Sequence, residues 1–367
     1  MSGTSGTSGS SGLRPPTGAL VVSFLASLGG LALLGSAGTP YAVEAPGPVQ
    51  DVLGETAQGE PLVEVEGRET YPTTGRLDLL TVSTSGGPGR DVVLAQVVRG
   101  WLDPVQEVLP VGQVFDLSQT REEVDASREV QMSSSQQAAT AAALTALDIP
   151  ADVLLRVAGA PEGGALPEGL VDGDVITALD GGEVGTTEQL QAALQAVPAG
   201  EAALVGVERD GERLEVPVTT AAGDDGRTVL GVLLAPEVEV PFEVDIRIDD
   251  IGGPSAGTVF ALGLVDLLSP GDLLGGRHVA GTGTVDAEGR VGAIGGVRQK
   301  LVAADAAGAE LVLVPRATCG EVVGAVPEGL DVRAVGTLDE ALAELDGSSP
   351  APTCEEVVRD LRADAAG

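Results

Sequence analysis

Hydrophobic and polar positions follow three different patterns along the chain, and each predicts a different kind of element. Between Gly18 and Ala37 no residue is charged, and Leu, Val and Ala dominate a run long enough for one membrane-spanning helix. Apolar positions alternate over residues 153–157, as in a strand, whereas residues 190–197 carry them at helical spacing. Strand-like and helix-like runs then alternate over residues 226–346. The pattern predicts a multidomain protein with α/β and α+β parts.

The first two segments carry the information on cellular location. Residues 1–17 form a Gly/Ser/Thr-rich leader that we expect to be disordered. Residues 18–40 are predicted to form a single transmembrane helix. Because Arg14 is the only nearby basic residue and lies on the amino-terminal side, everything after Glu44 is expected outside the cytoplasm. The small residues 35–37 keep a cleaved signal peptide open as the alternative, which also exports the body of the protein.

Two further segments flank the parts of the chain that carry the candidate chemistry. Residues 46–150 are predicted as an N-terminal β/helical region, with strand-like runs at 77–83 and 91–98 and a helix or helix pair from Thr120 to Leu147. Residues 347–367 are expected to be a tail with a short helix.

Composition narrows the range of partners. Asp and Glu number 55 against 20 Lys and Arg, giving a formal charge of -35 that would repel a phosphate backbone, so we expect no nucleic-acid partner. Cys319 and Cys354 are the only cysteines. They are either unpaired or, in an exported protein, joined in a disulfide that closes about 36 residues. No metal or cofactor is expected.

A single lysine and a glycine-flanked serine are the candidates for chemistry. Lys300 is the only lysine, and it shares one predicted helix face with Val297, Leu301 and Ala304. A buried amine can lose its proton and act as a general base, which a guanidinium cannot do. Ser255 precedes a predicted apolar helix, where it is either a nucleophile near backbone amides or simply the helix cap. A Ser-His-Asp triad would require His278, the only histidine, and no local pattern supports it.

Residues 151–222 resemble a bacterial PDZ domain. The likeness lies in a strand, a Leu-x-x-Gly-Asp-x-Ile turn, a Gly-Gly-x-Val segment, an amphipathic helix and a hairpin at Asp210-Gly211, with residues 170–184 carrying most of it. PDZ domains bind extended peptides at a sheet edge beside a helix, so the resemblance implies a peptide-binding module. The alternative is that the domain only packs against its neighbour.

Residues 226–346 resemble the proteolytic domain of Lon-type serine proteases. The likeness rests on Gly-Pro-Ser-Ala-Gly at 253–257, the run at 280–291 and the segment at 294–301. The whole arrangement resembles exported PDZ-containing S16 peptidases of bacteria. The resemblance implies Ser255 as nucleophile, Lys300 as general base and Thr282 as a residue that orients the lysine. Asp249 and Asp250, just before the serine loop, are expected either to pair with Lys300 or shape the cleft, or to form a solvated turn. The alternative for Thr282 is that it is only a strand residue. The resemblance also implies a homo-oligomer, a hexamer.

One departure from Lon proteases shapes the expected function. A Walker A loop needs a Gly-Lys pair, and the only lysine here follows Gln299, so the chain holds no such ATP site. We therefore expect a membrane-anchored, ATP-independent serine endopeptidase that cleaves unfolded or flexible protein segments outside the cytoplasm, with the PDZ domain recruiting or gating substrate. The alternatives are a non-catalytic, membrane-anchored PDZ scaffold and an enzyme that processes only itself.

Overall fold

The computed structural model describes residues 35–160, 164–223, 226–240, 242–248 and 251–364. The predicted leader and most of the predicted transmembrane segment lie outside these ranges, as do Asp249 and Asp250. Across the described ranges, no helix combines the length and the apolar character needed to cross a bilayer.

The described strands and helices are spread along the whole of this range. The strands are β1 (Gly38–Thr39), β2 (Tyr41–Asp51), β3 (Val63–Glu66), β4 (Arg76–Ser85), β5 (Val92–Val93), β6 (Glu107–Pro110), β7 (Asp152–Val157), β8 (Val175–Leu179), β9 (Gly182–Glu183), β10 (Ala202–Arg209), β11 (Glu212–Thr219), β12 (Ala221–Ala222), β13 (Thr228–Val229), β14 (Leu234–Glu239), β15 (Glu243–Ile246), β16 (His278–Gly281), β17 (Thr284–Val285), β18 (Val291–Gly292), β19 (Leu311–Pro315) and β20 (Asp331–Val335). The helices are α1 (Leu94–Leu102), α2 (Val111–Val114), α3 (Arg121–Ala146), α4 (Thr187–Leu194), α5 (Gly257–Leu268), α6 (Val297–Ala307), α7 (Cys319–Val322), α8 (Leu338–Leu345) and α9 (Cys354–Asp364).

The smaller of two compact units comprises residues 1–44 and 84–121. In its described part, β1 pairs with β5 and the start of β2 pairs with β6, both antiparallel. A strand over residues 91–98 is wrong, because β5 ends at Val93 and α1 starts at Leu94. Val97 and Gly100, spaced i and i+3, form the buried face of α1, so helical periodicity prevails over the β-propensity of the valines.

The larger unit, residues 45–83 and 122–367, holds the main sheet. Its strands run in the order β20, β19, β16, β4 and β2, with β16 parallel to both β19 and β4. The sequence placed residues 46–150 and 226–346 in separate regions, whereas this sheet joins strands from both. Helix α5 is almost wholly buried, and it shares the main core with apolar residues of α3. The prediction of a helix over residues 120–147 is confirmed by α3.

A second sheet in the larger unit has the order β11, β10, β8, β7 and β14, with α4 packed on it. Asp210 and Gly211 both have positive φ, 52° and 80°, which is the geometry of a two-residue hairpin. The final strand, β14, pairs with β7, so the sheet extends beyond residue 222 into a segment that the sequence assigned to the α/β unit. That assignment is corrected because β14 takes its backbone partners from β7.

A buried ion pair secures the turn before β8. The carboxylate of Asp174 is fully buried and accepts hydrogen bonds of 2.6 and 2.8 Å from the Arg209 guanidinium, which holds the pKa of Asp174 below its usual value. A carboxyl with a lowered folded-state pKa stabilises the fold above the pKa of the unfolded chain, about 3.9. That contribution disappears as the pH falls through the folded-state value.

Arg209→Met is therefore expected to move the acid-unfolding midpoint to higher pH, because it leaves Asp174 buried without its cation. Acid titration followed by far-ultraviolet circular dichroism measures the shift. Arg213→Met, at an exposed position of β11, is the matched control and should leave the midpoint in place. Equal midpoints for the two variants would contradict the role given to the ion pair.

The two cysteines form a disulfide, with Cα atoms of Cys319 and Cys354 separated by 4.8 Å. The bond ties α9 to α7, and its cysteines share a hydrophobic cluster with Val297, Leu301 and Ala304 of α6. The disulfide thus packs beneath the helix that carries Lys300.

Candidate active site

The loop from residue 252 to 257 brings Ser255 to the start of α5. Gly253 has a φ of 97°, a conformation that favours glycine, and a Cβ on Gly257 would lie 3.0 Å from the backbone nitrogen of Val285. Ala256 is the N-cap of α5 and makes no side-chain cap bond. Ser255 is therefore not the helix cap, and its partly buried hydroxyl is available for another contact.

Helix α3 holds this loop from one side. The Gly253 amide donates to the Arg128 carbonyl over 3.2 Å, and the Ser135 hydroxyl donates to the Pro254 carbonyl over 3.1 Å. On the other side the Gly283 amide donates to the carbonyl of Ser255 over 2.9 Å. The position of Ser255 is thus set by hydrogen bonds to residues on both sides of it.

Lys300 reaches Ser255 from α6. Gly296, immediately before the helix, adopts a left-handed conformation with φ 62°, and a Cβ there would clash with Val82 at 2.5 Å. This turn starts α6 so that Lys300 is 3% exposed, on the same buried face as Val297 and Leu301. The Nζ atom of Lys300 lies 2.9 Å from Oγ of Ser255.

Thr282 completes a compact cluster of polar side chains. It is fully buried just after β16, where its amide donates to the Leu313 carbonyl over 3.2 Å. Its Oγ1 accepts from the Nζ of Lys300 at 2.9 Å and donates to the carbonyl of Ser255 at 3.2 Å. The hydroxyl thereby fixes the direction of the amine relative to Ser255.

This cluster has the elements of nucleophilic catalysis. A hydroxyl at hydrogen-bond distance from an amine can lose its proton to that amine when the amine is neutral, and burial disfavours the charged form of an amine. The amides of Thr258 and Val259 already donate to the carbonyls of Gly283 and Ala256. Donors for an oxyanion beside Ser255 would therefore come from the amides that precede Thr258 at the start of α5. The arrangement is suited to acyl transfer.

A cleft of about 640 Å³ opens beside the serine loop. Its lining includes Pro254 and Val285, Ala138 and Ala141 of α3, and Thr187 at the start of α4. Leu155 of β7 also lines the cleft, which therefore draws on the sheet that contains β14 as well as on the segment around Ser255.

A smaller cavity of about 180 Å³ lies along α4. Leu190 and Leu194 of α4 face the segment 227–234, which leads into β14. Because β14 is the last strand of its sheet, this cavity lies between a helix and a terminal strand, the arrangement at which extended peptides can add to a sheet.

The structure brings together Ser255, Lys300 and Thr282 as the sequence predicts, whereas Asp250 lies outside the described residues. His278 pairs with Asp78, Nε2 to Oδ2 at 2.7 Å, and takes no part in the cluster.

Sequence reasoning missed Ser135, which sits in a run of three serines with no motif around it. Within the described residues, no group of three or more His, Cys, Asp or Glu is placed to hold a metal ion.

Comparison with known proteins identifies two domains. Residues 249–345 match the Lon protease (S16) C-terminal proteolytic domain, and residues 153–220 match the PDZ domain. The chain thus contains both domains that the sequence predicts.

The curated relatives are similar over one part of the chain. Lon protease of Clostridioides difficile is 38% identical over 95 residues, which is 25% of this chain and 12% of that protein. Lon protease of Roseiflexus castenholzii is 38% identical over 94 residues, 24% of this chain and 11% of that protein. A solved PDZ domain from the SdrC-like protein of Listeria monocytogenes is 16% identical with a TM-score of 0.20, covering 23% of this chain and 87% of that one.

Proposed function

We propose that this chain is an ATP-independent serine endopeptidase with Ser255 as nucleophile and Lys300 as general base. The observation that carries the proposal is the 2.9 Å contact between Nζ of Lys300 and Oγ of Ser255 at a lysine that is 3% exposed. The match of residues 249–345 to the Lon proteolytic domain supports the same reaction class.

The proposed reaction proceeds through an acyl-enzyme. Oγ of Ser255 attacks the carbonyl carbon of the scissile peptide while its proton passes to Nζ of Lys300, and amides at the start of α5 stabilise the oxyanion. Collapse of this intermediate returns the proton to the leaving amine. Lys300 then takes a proton from water as the water attacks the ester carbonyl, and it passes that proton to the leaving Oγ, which releases the acid product and restores Ser255 and the neutral amine.

Thr282 is proposed to orient the amine, because its Oγ1 accepts from Nζ and also donates to the Ser255 carbonyl. Thr282→Val is expected to lower kcat by roughly 10- to 100-fold with little change in KM, because Nζ becomes charged only as it takes the Ser255 proton and a hydrogen bond to a charged group contributes about 1.5–3 kcal/mol. Steady-state kinetics on an unfolded substrate measure kcat and KM separately. Thr318→Val removes an equally buried hydroxyl, one bonded to the Pro315 carbonyl, and should leave kcat unchanged. A change confined to KM would contradict the role of Thr282.

The PDZ domain is proposed to recruit or gate substrate. Two features support this role: the cavity between α4 and the segment leading into β14, and the contribution of Thr187 to the cleft beside Pro254. A peptide held along α4 would be close to the wall of that cleft. The substrates we propose are unfolded or flexible protein segments, because such chains can adopt the extended form that both sites require.

The cellular location and the oligomeric state of the protein are also proposals. The uncharged run at residues 18–37 and the Cys319–Cys354 disulfide support an anchored protein with its folded part outside the cytoplasm. We propose that the chain assembles as a hexamer, on the basis of its resemblance to Lon-type proteins alone.

The proposal is tested by incubating the full chain with unfolded casein in the absence and presence of ATP. We expect cleavage that ATP does not accelerate, loss of cleavage in Ser255→Ala, and full activity in Ser133→Ala, which alters an exposed serine of α3. Peptide binding without any cleavage would favour the scaffold, and cleavage restricted to the chain itself would favour self-processing.

A further inference from the structure

An apolar stripe on α1 remains outside the proposed catalytic function. Val98, Trp101 and Leu102 are spaced i, i+3 and i+4, and their exposed fractions are 43%, 60% and 81%. Val105, just beyond the helix, is 36% exposed and continues the stripe. Val97 and Gly100 are the buried residues of α1. A surface helix normally turns polar residues outward, so the exposed apolar stripe of α1 is unusual among surface helices.

The chain before residue 35 joins the structure at the start of this helix. A Cβ on Gly35 would lie 3.7 Å from Cβ of Ala95, and the Leu94 amide donates to the Ala37 carbonyl over 2.9 Å. The uncharged run of residues 18–37 therefore ends against the first turn of α1. Any surface that receives that run also lies near the exposed stripe.

We propose that α1 lies on the lipid bilayer, with Val98, Trp101 and Leu102 inserted at the boundary between headgroups and acyl chains. This inference rests on the proposed membrane anchoring. The chemistry fits, since tryptophan is favoured at this depth and an amphipathic helix binds there through its apolar face. Trp101 also meets the ring of Tyr41 edge to face, with centroids 6.0 Å apart.

Charge sets the kind of membrane contact. The chain carries a formal charge of -35, and Arg99 is the one basic residue of α1. Attraction to anionic headgroups therefore does not drive the contact, and burial of apolar surface does. Insertion should be at least as strong in zwitterionic vesicles as in anionic ones, because the net negative charge repels anionic headgroups, and it should persist at high salt.

Trp101 is the only tryptophan of the chain, so its fluorescence reports on α1 alone. The full chain is reconstituted into phosphatidylcholine vesicles with and without brominated acyl chains. We expect a blue-shifted emission that brominated lipid quenches and that aqueous acrylamide quenches poorly. Trp101→Phe provides the blank.

Two leucine variants separate insertion from anchoring. Leu102→Glu is expected to weaken quenching by brominated lipid, whereas Leu361→Glu, at a 63% exposed leucine of α9, should not. Vesicle flotation tests whether the protein is anchored to the membrane, and casein cleavage tests whether it is a peptidase. Failure of either proposal can therefore be told apart from failure of α1 to insert. The inference is overturned if vesicles float with the protein while Trp101 remains open to acrylamide. It is equally overturned if Trp101 becomes protected without lipid as protein concentration rises, because the stripe then binds a second copy of the chain.

Discussion

Lys300→Arg is expected to reduce casein cleavage by the full chain by roughly 10³-fold or more, the scale on which loss of a catalytic nucleophile or base acts. Arginine keeps the positive charge but does not release its proton in proteins, so it cannot accept the proton of Ser255. The longer guanidinium also does not fit the 2.9 Å contacts to Ser255 and Thr282. The measurement is kcat/KM at neutral pH, with circular dichroism confirming that the variant is folded.

The Lys300→Arg experiment has one matched control variant and one test of whether Ser255 and Lys300 act together. Arg298→Ala changes an exposed residue on the same helix and should retain full activity. Ser255→Ala alone and combined with Lys300→Arg should show similar residual rates, because residues that act as a unit are not additive. Substantial cleavage by either single variant would contradict the dyad.

The second large effect concerns stability. Replacing both Cys319 and Cys354 by alanine is expected to lower the free energy of unfolding by about 3 to 4 kcal/mol, because the disulfide closes a long loop in the unfolded chain. The sequence separation of the two cysteines is 35. Urea unfolding followed by circular dichroism measures the change.

Reduction provides an independent comparison for the disulfide. A reductant should destabilise the unmodified chain by a similar amount and leave the double variant unaffected. Because the cysteines pack in one cluster with Val297 and Leu301, their loss should also lower the temperature at which casein cleavage fails. Equal unfolding curves for the oxidised chain and the double variant would contradict this account.

Local patterns in the sequence were enough to predict the catalytic candidates. A unique lysine on an apolar helix face and a serine among glycines identified Lys300 and Ser255, and a stretch without proline or glycine predicted α3. These features depend on residues close together in the chain, which periodicity and composition report directly.

Long-range pairing could not be predicted in the same way. The position of β4 beside β16 depends on contacts across some 200 residues, as between Arg76 and His278, and no local pattern encodes it. The strand β14 looks like part of the following domain until its pairing with β7 is known. The hydrogen bond from Ser135 to Pro254 likewise comes from folding alone, since 119 residues separate the two.

The central claim is that Lys300 activates Ser255 as a nucleophile. Its most direct test is to treat the full chain with a fluorophosphonate and to locate the adduct by mass spectrometry of proteolytic fragments. The account predicts a covalent adduct on Ser255 in the unmodified chain and none on that residue in Lys300→Arg. An adduct on a different serine, or labelling of Ser255 at an unchanged rate in Lys300→Arg, would contradict it.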